Sequence, residues 1–284
     1  MSSMAPSVLR IAPTRGWVSL RLSEVWQYRE LLYFLTWRDI KVRYRQTVLG
    51  VLWAILVPVV STGLFTLVFA RMANVASDGR PYPLFSLAAL LPWSFFAAAL
   101  SQCANSVAQS AHLMSKVYFP RLIAPLAAVL GGLPDFLIAF GVFLFALVMY
   151  ALSGRLPAHS LPGPAVLMLP FFVLLALTAA LGMGLWLAGL SSKYRDVKHA
   201  VPFMIQAWLF ITPVVYSANA VTPSYRAWIG LNPMSGVVEG FRWSLLNIPA
   251  NVTCILLSTL VSCSLLMSGA FFFRRVEKNF ADHL

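Results

Sequence analysis

The chain reads as an all-α membrane protein: six transmembrane helices, an amphipathic N-terminal helix in the interface, and external re-entrant helices between spans five and six. Three observations lead there. Hydrophobic residues make up 60% of the chain and charged residues only 11%, where a soluble domain carries about a quarter. Several windows exceed the ~18 nearly uncharged residues that cross a hydrocarbon core of ~30 Å. The alternating pattern of a membrane β-barrel is missing, and backbone groups left bare in lipid otherwise restrict spans to helices.

Hydropathy and chain breakers place the spans at Leu49–Ala70, Leu84–Ala108, Leu122–Leu152, Ala165–Leu190, Ala200–Tyr216 and Val252–Phe273. Residues 1–47 then form a cytoplasmic N-terminal segment, 48–274 the six-span domain, and 275–284 a cytoplasmic tail. The first 30 residues hold no apolar core of a signal peptide, so none is expected to be cleaved.

Positive charge orients the spans. The N-terminal segment, the second and fourth loops and the tail hold 8, 2, 3 and 3 Lys/Arg, 16 of the 21 in all. The opposite loops hold Arg71, Arg80, Arg155, Arg226 and Arg242. Positive-inside therefore puts both termini in the cytoplasm. It also accounts for the net charge of +12 without nucleic acid, because the cations flank spans.

The stretch "WRDIKVRYRQTVLG", Trp37 to Gly50, crowds cations and rings against the first span. On a helix, Tyr33, Trp37, Ile40 and Tyr44 form one stripe, and Arg38, Lys41 and Arg45 the adjacent one. Rings prefer headgroup level while Lys and Arg snorkel to phosphates, which predicts a helix in the cytoplasmic interface plane. Asp39 and Arg43, four apart, are expected to pair on its far side. A topology signal needs only cations. The ring stripe adds a second reading, that Arg38, Lys41 and Arg45 attract an anionic headgroup or diphosphate.

The fifth loop, Ser217 to Asn251, is long yet amphipathic, and Asn232-Pro233 divides it into two short helices. These either dip into the outer interface or form a plain surface loop. Asp135 follows "GGLP" (Gly131 to Pro134), where freed backbone donors can satisfy a carboxylate. A structural polar contact there is favoured over proton coupling. The loop "AHLMSKVYFPR", Ala111 to Arg121, sets Tyr118 and Phe119 between Lys116 and Arg121. It suits a partner's groove, or is an ordinary turn.

Several chemistries are excluded. No glycine precedes a lysine, so no phosphate-cradling G-x-x-x-x-G-K-[ST] loop exists. G-x-S-x-G and H-E-x-x-H are also missing. Cys103, Cys254 and Cys263 lie singly in apolar segments and read as buried hydrophobes, with neither metal nor disulfide spacing. An ion-coupled carrier should show several buried titratable groups or repeats. A membrane glycosyltransferase should show acidic clusters, but Asp78, Asp196 and Glu239 stand alone. What remains is a pathway without its own engine.

Six blocks in this order resemble the type-2 ABC export permeases for polysaccharides, above all the membrane subunit for lipid-linked O-antigen, related to capsule and teichoic-acid permeases. They are the stretch from Trp37 together with "YPLFSLAALLPWSFF", "SKVYFPRLIAPLAAVL", "KYRDVKHAVPFMIQAWLFITPVVY", "LNPMSGVVEGFRWSLL" and "FFFRRVEKNFAD". The resemblance spans roughly Glu30 to Phe280. It implies that Tyr33, Trp37, Arg38, Lys41, Tyr44 and Arg45 belong to an interface helix guarding substrate access. Met114, Ser115, Lys116, Val117, Tyr118, Phe119 and Arg121 would belong to the coupling segment seated in an ATPase, with Lys193, Arg195 and Asp196 a second contact. Asn232, Pro233, Glu239 and Arg242 would shape an external gate.

The resemblance further implies two copies of this chain, two separate ATPase chains binding ATP and Mg, membrane lipid around them and a lipid-linked polysaccharide as cargo. The chain itself would hold no cofactor, metal or catalytic residue and sit in the cell inner membrane. Phe65 with Phe69, and Phe203 with Phe210, repeat at helical spacing. They suit either helix packing or a path lined for the apolar faces of sugars. Trp53, Trp93, Trp186 and Trp208 fit channel and interface belt equally.

Overall fold

The computed structural model describes residues 22–45, 50–194, 196–222 and 228–277. Every regular element among them is helical. Five are long and apolar enough to cross a membrane: Leu52–Met72, Tyr82–Gln109, Ile123–Leu152, Pro164–Lys193 and Val252–Val276. We refer to them as the first to fourth spans and the last span. Between the fourth and last spans lie a short helix, Val197–Ile211, and a second one, Pro233–Leu246. The span expected over Ala200–Tyr216 is this 15-residue helix, which stops where Thr212 turns extended ahead of Pro213.

The second span is the hub. It packs against the first, third and fourth spans and both short helices, with Phe85, Phe96, Leu91 and Leu100 fully enclosed. The fourth and last spans meet through small residues. A Cβ on Gly269 would run into the Gly182 carbonyl oxygen, and one on Gly182 would lie 2.6 Å from the Leu266 nitrogen. Small residues let backbones approach where lipid supplies no hydrophobic drive between helices. Pro233–Leu246 nests beside the fourth span in the same manner, Gly240 lying flush against the Phe172 ring.

The first span differs. Its Val57, Val59, Val60, Leu64 and Leu67 are exposed, and its last two turns, Thr66–Met72, are π-helical. The third span, read from the sequence as one helix over Leu122–Leu152, is broken at Gly131-Gly132 into Ile123–Leu130 and Leu133–Leu152. Pro134 sits in the first turn of the second piece, where its missing N–H is harmless.

Candidate functional site

One pole of the bundle gathers the N-terminal helices, the segment between the second and third spans, and the end of the last span. Leu22–Gln27 leads through Tyr28 into Arg29–Arg45, the interface helix. Glu24 reaches Arg274 at 3.6 Å, Arg274 also holds Glu277 at 2.7 Å, and Arg121 donates to the Glu277 carbonyl.

The ring stripe of the interface helix is split by its packing. Tyr33 and Trp37 are exposed, whereas Ile40 and Tyr44 are half-buried. Lys41 and Arg45 are exposed, and Arg38, Lys41, Val42 and Arg45 border a cavity of about 490 Å³. This is the predicted cationic stripe. The expected Asp39–Arg43 pair does not form: Asp39 takes Arg38 at 2.8 Å. Arg43 instead turns inward, donating to Asp135 of the third span and to the side-chain amide oxygen of Gln102 in the second.

The Tyr44 hydroxyl donates to the other Asp135 oxygen. Burial, then this hydrogen bond, pushes the phenol up to about 12, so it remains a neutral donor. Asp135 is therefore satisfied by side chains of the interface helix rather than by backbone donors of the Gly-Gly break.

Helix pairing explains the inward turn. Leu35, the only buried residue of the interface helix, shares an apolar cluster with Phe119, Ile123 and Ala127. The Asp39 Cβ lies 3.8 Å from where a Cβ on Gly131 would stand. Leu35, Asp39 and Arg43 thus face Ala127, Gly131 and Asp135, each set stepping by four, so the interface helix runs alongside the third span across its break. Beyond Asp135 a cavity of about 400 Å³ continues between the first three spans, lined by Trp53, Val57, Ser61, Leu90, Ser94 and Phe136 among others.

The predicted coupling segment comprises Ala111–Lys116, a six-residue helix, and an extended stretch ending at Pro120. Lys116, Val117 and Tyr118 are exposed and Arg121 is half-buried. Phe119, expected beside Tyr118 as an anchor for a partner, is buried against the interface helix, in the cluster with Leu35, Ile123 and Ala127. The side chains of Met114 and Ser115 and the whole of Arg195 lie outside the described residues. Lys193 and Asp196 are exposed, the Lys193 ammonium 5.2 Å from the centre of the Tyr194 ring.

The opposite pole is fastened by buried arginines. Arg242 donates to the carbonyls of Pro213 and Val214 at 2.7 Å and of Tyr216 at 3.1 Å, and lies 3.6 Å from the Phe85 ring centre. Burial pulls its pKa down to about 9, so it stays charged at neutral pH. Asn232 caps Pro233–Leu246 through Met234 N, accepts from the Trp208 indole at 3.0 Å and donates to Thr212 at 2.9 Å. Pro233 begins that helix, and Glu239 accepts from Asn251 N at 3.0 Å.

Arg80, which in the sequence serves only to orient the spans, donates to the carbonyls of Leu246 and Asn247 at 3.0 and 3.2 Å. Its only sequence signal is an arginine on the cation-poor side of the chain. Tyr82 and Ser217 complete the fastening through Val215 O and Asp78.

Phe65 and Phe69 meet edge-on, centroids 5.6 Å apart, packed on the core. Phe203 and Phe210 point outward on the short helix, 74% and 57% exposed. Trp93 is a core residue, Trp186 stacks on Phe272 at 4.1 Å, and Trp53 lines the cavity. Of the cysteines, Cys103 and Cys254 are buried but Cys263 is exposed, because it falls on the outward face of the last span. Among the described residues no group of three His, Cys, Asp or Glu is placed to hold a metal.

Comparison with known proteins supplies a context. Residues 30–246 match the ABC-2 type transporter family. The chain is 30% identical over 221 residues to the O-antigen export system permease protein RfbA of Myxococcus xanthus, covering 77% of this chain and 81% of that one. It is 26% identical over 256 residues to the Klebsiella pneumoniae protein of the same name, covering 90% and 95%. To the polysialic acid transport protein KpsM of Escherichia coli it is 21% identical over 203 residues, covering 71% and 76%.

Proposed function

This chain belongs to the ABC-2 type transporter family, and we propose that it is the membrane permease subunit of an ATP-driven exporter of lipid-linked polysaccharide, with O-antigen the foremost cargo. The observation that carries this reading is the likeness to O-antigen export permeases over up to 90% of the chain. ATP and Mg belong to a separate ATPase subunit, since the P-loop sequence is missing here.

The geometry supports a division of labour between the two poles. The pole carrying Lys116, Tyr118, Lys193 and Asp196 offers exposed side chains on short segments between spans, which fits docking of the ATPase. The same pole carries Arg38, Lys41 and Arg45, which fits capture of a diphosphate-linked lipid from the cytoplasmic leaflet of the inner membrane. Both termini then lie in the cytoplasm.

Val197–Ile211 is about 22 Å long at 1.5 Å per residue. It serves as the fifth of six crossings, its deficit met by local thinning of the bilayer or by the turns that follow. Pro233–Leu246 is shorter still and almost wholly buried, as suits one limb of a re-entrant gate built on Asn232, Pro233, Glu239 and Arg242.

A second copy would cover part of the exposed first span and close a path too wide for one bundle. Phe65, Phe69, Phe203 and Phe210 would face that path, and two ATPase chains would serve the pair. Reconstitution tests the reading. Vesicles holding this chain and its ATPase should move glycolipid when ATP is added, and vesicles with this chain alone should not. Uphill movement without the ATPase overturns it, as does unaltered surface glycan in cells lacking the chain.

A further inference from the structure

The interface helix is poorly anchored for its length. Of 17 residues only Leu35 is buried, while Tyr33, Phe34, Trp37 and Val42 lie open. It is seated at two places. The first is the apolar cluster of Leu35 with Phe119, Ile123 and Ala127, on the near side of the break in the third span. The second is polar and beyond the break: Arg43 and Tyr44 both bind Asp135, and Arg43 also binds Gln102. The seats are eight residues apart, about 12 Å along a helix.

An ion pair at the edge of a low-dielectric region holds firmly while closed. Its members are 26% and 33% exposed, and each has somewhere to go when it opens. Arginine can snorkel to the interface, and a partly exposed carboxylate can be solvated by water. The polar seat is therefore two-state in a way that the apolar seat is not. Opening it would also unroof the 400 Å³ cavity, whose wall includes Arg43, Tyr44 and Asp135.

We propose that Asp135 is a positioning residue for export: with Arg43, Tyr44 and Gln102 it forms a latch that registers the interface helix on the third span, and each transport cycle opens it. The functional half rests on the export-permease reading; the structural half does not.

The closeness of Asp39 to Gly131 supplies the test, because Cβ atoms 3.8 Å apart suit a disulfide. In the full chain with its ATPase, in native membranes, a D39C/G131C pair is introduced together with Cys263→Ala. The pair should cross-link readily. Adding Asp135→Asn should slow cross-linking several-fold, and R43D/D135R should restore it. An unchanged rate with Asp135→Asn overturns the latch.

Oxidising the pair should lower glycan export at least tenfold, and reduction should restore it. Export that continues while the pair is closed overturns the opening step. R43D/D135R should export better than either single variant, with equal amounts of chain in the membrane throughout; a swap no better than the singles also overturns the proposal. If glycan export is independent of the unmodified chain, the export reading fails, and the cross-linking rates still decide the latch.

Discussion

Phe119, from the segment linking the second and third spans, shares one buried cluster with Leu35 of the interface helix. The neighbouring Tyr118 is turned outward and is 74% exposed. One side of this segment is therefore available to a partner and the other is committed to the helix proposed to capture cargo. The cluster also includes Ile123 and Ala127 of the third span, so this segment, the interface helix and that span share one apolar contact.

Phe119→Ala should break that contact. Removing a buried phenylalanine costs about 3–5 kcal/mol at a well-packed site, so thermal unfolding should fall by several degrees. In membranes where the chain remains inserted, ATP hydrolysis should persist while export falls at least tenfold. Phe119→Leu should recover most of both. Equal loss of hydrolysis and export would argue against a relay.

Tyr118→Ala and Lys116→Glu address the outer side. Exposed substitutions of this kind shift stability within about 0.5 kcal/mol, so the melting temperature should hold. Co-purification of the ATPase should weaken markedly. Full retention of the ATPase in the double variant would remove this segment from the docking surface.

Arg38, Lys41 and Arg45 changed together to glutamine should leave membrane insertion intact and depress export. Each cation near an anionic surface contributes about 1 kcal/mol, so the three together correspond to roughly a hundredfold weaker binding of an anionic headgroup. Binding of diphosphate-bearing vesicles reports this directly, and unaltered binding would count against headgroup capture.

Arg242→Lys tests the opposite pole. A lysine cannot span the carbonyls of Pro213, Val214 and Tyr216 with one planar fork. Each buried acceptor left unpaired costs about 1–3 kcal/mol. The variant should melt several degrees lower and be more readily cleaved by protease near residue 213. A wild-type melting curve would show that this fastening is dispensable.

Much of the fold was legible because lipid admits few solutions. Long uncharged runs and the Asn232-Pro233 helix start each follow from local rules. The pairing of polar side chains was not. On an isolated helix Asp39 and Arg43 are natural partners, and only the neighbouring third span, offering Asp135 a full turn away at the matching register, redirects Arg43. Phe119 was misread for a related reason. The sequence shows two adjacent rings, whereas the burial of one and the exposure of the other follow from the distant cluster with Leu35. Arg80 carried no motif, since its acceptors are backbone carbonyls that any sequence provides.

Those distant acceptors have a bearing on how the chain is made. Arg80 leaves the ribosome early, yet Leu246, whose carbonyl receives it, lies 166 positions later. Throughout that interval two of its three carbonyl acceptors are missing, and only that of His159, at 3.4 Å, can be met earlier. Nascent chains halted short of Asn247 should therefore keep the loop around Arg80 open to water-borne reagents, and the loop should close as the final helix begins to emerge. The order of synthesis, written into one arginine, makes the last quarter of the polypeptide the lock for a loop in the second.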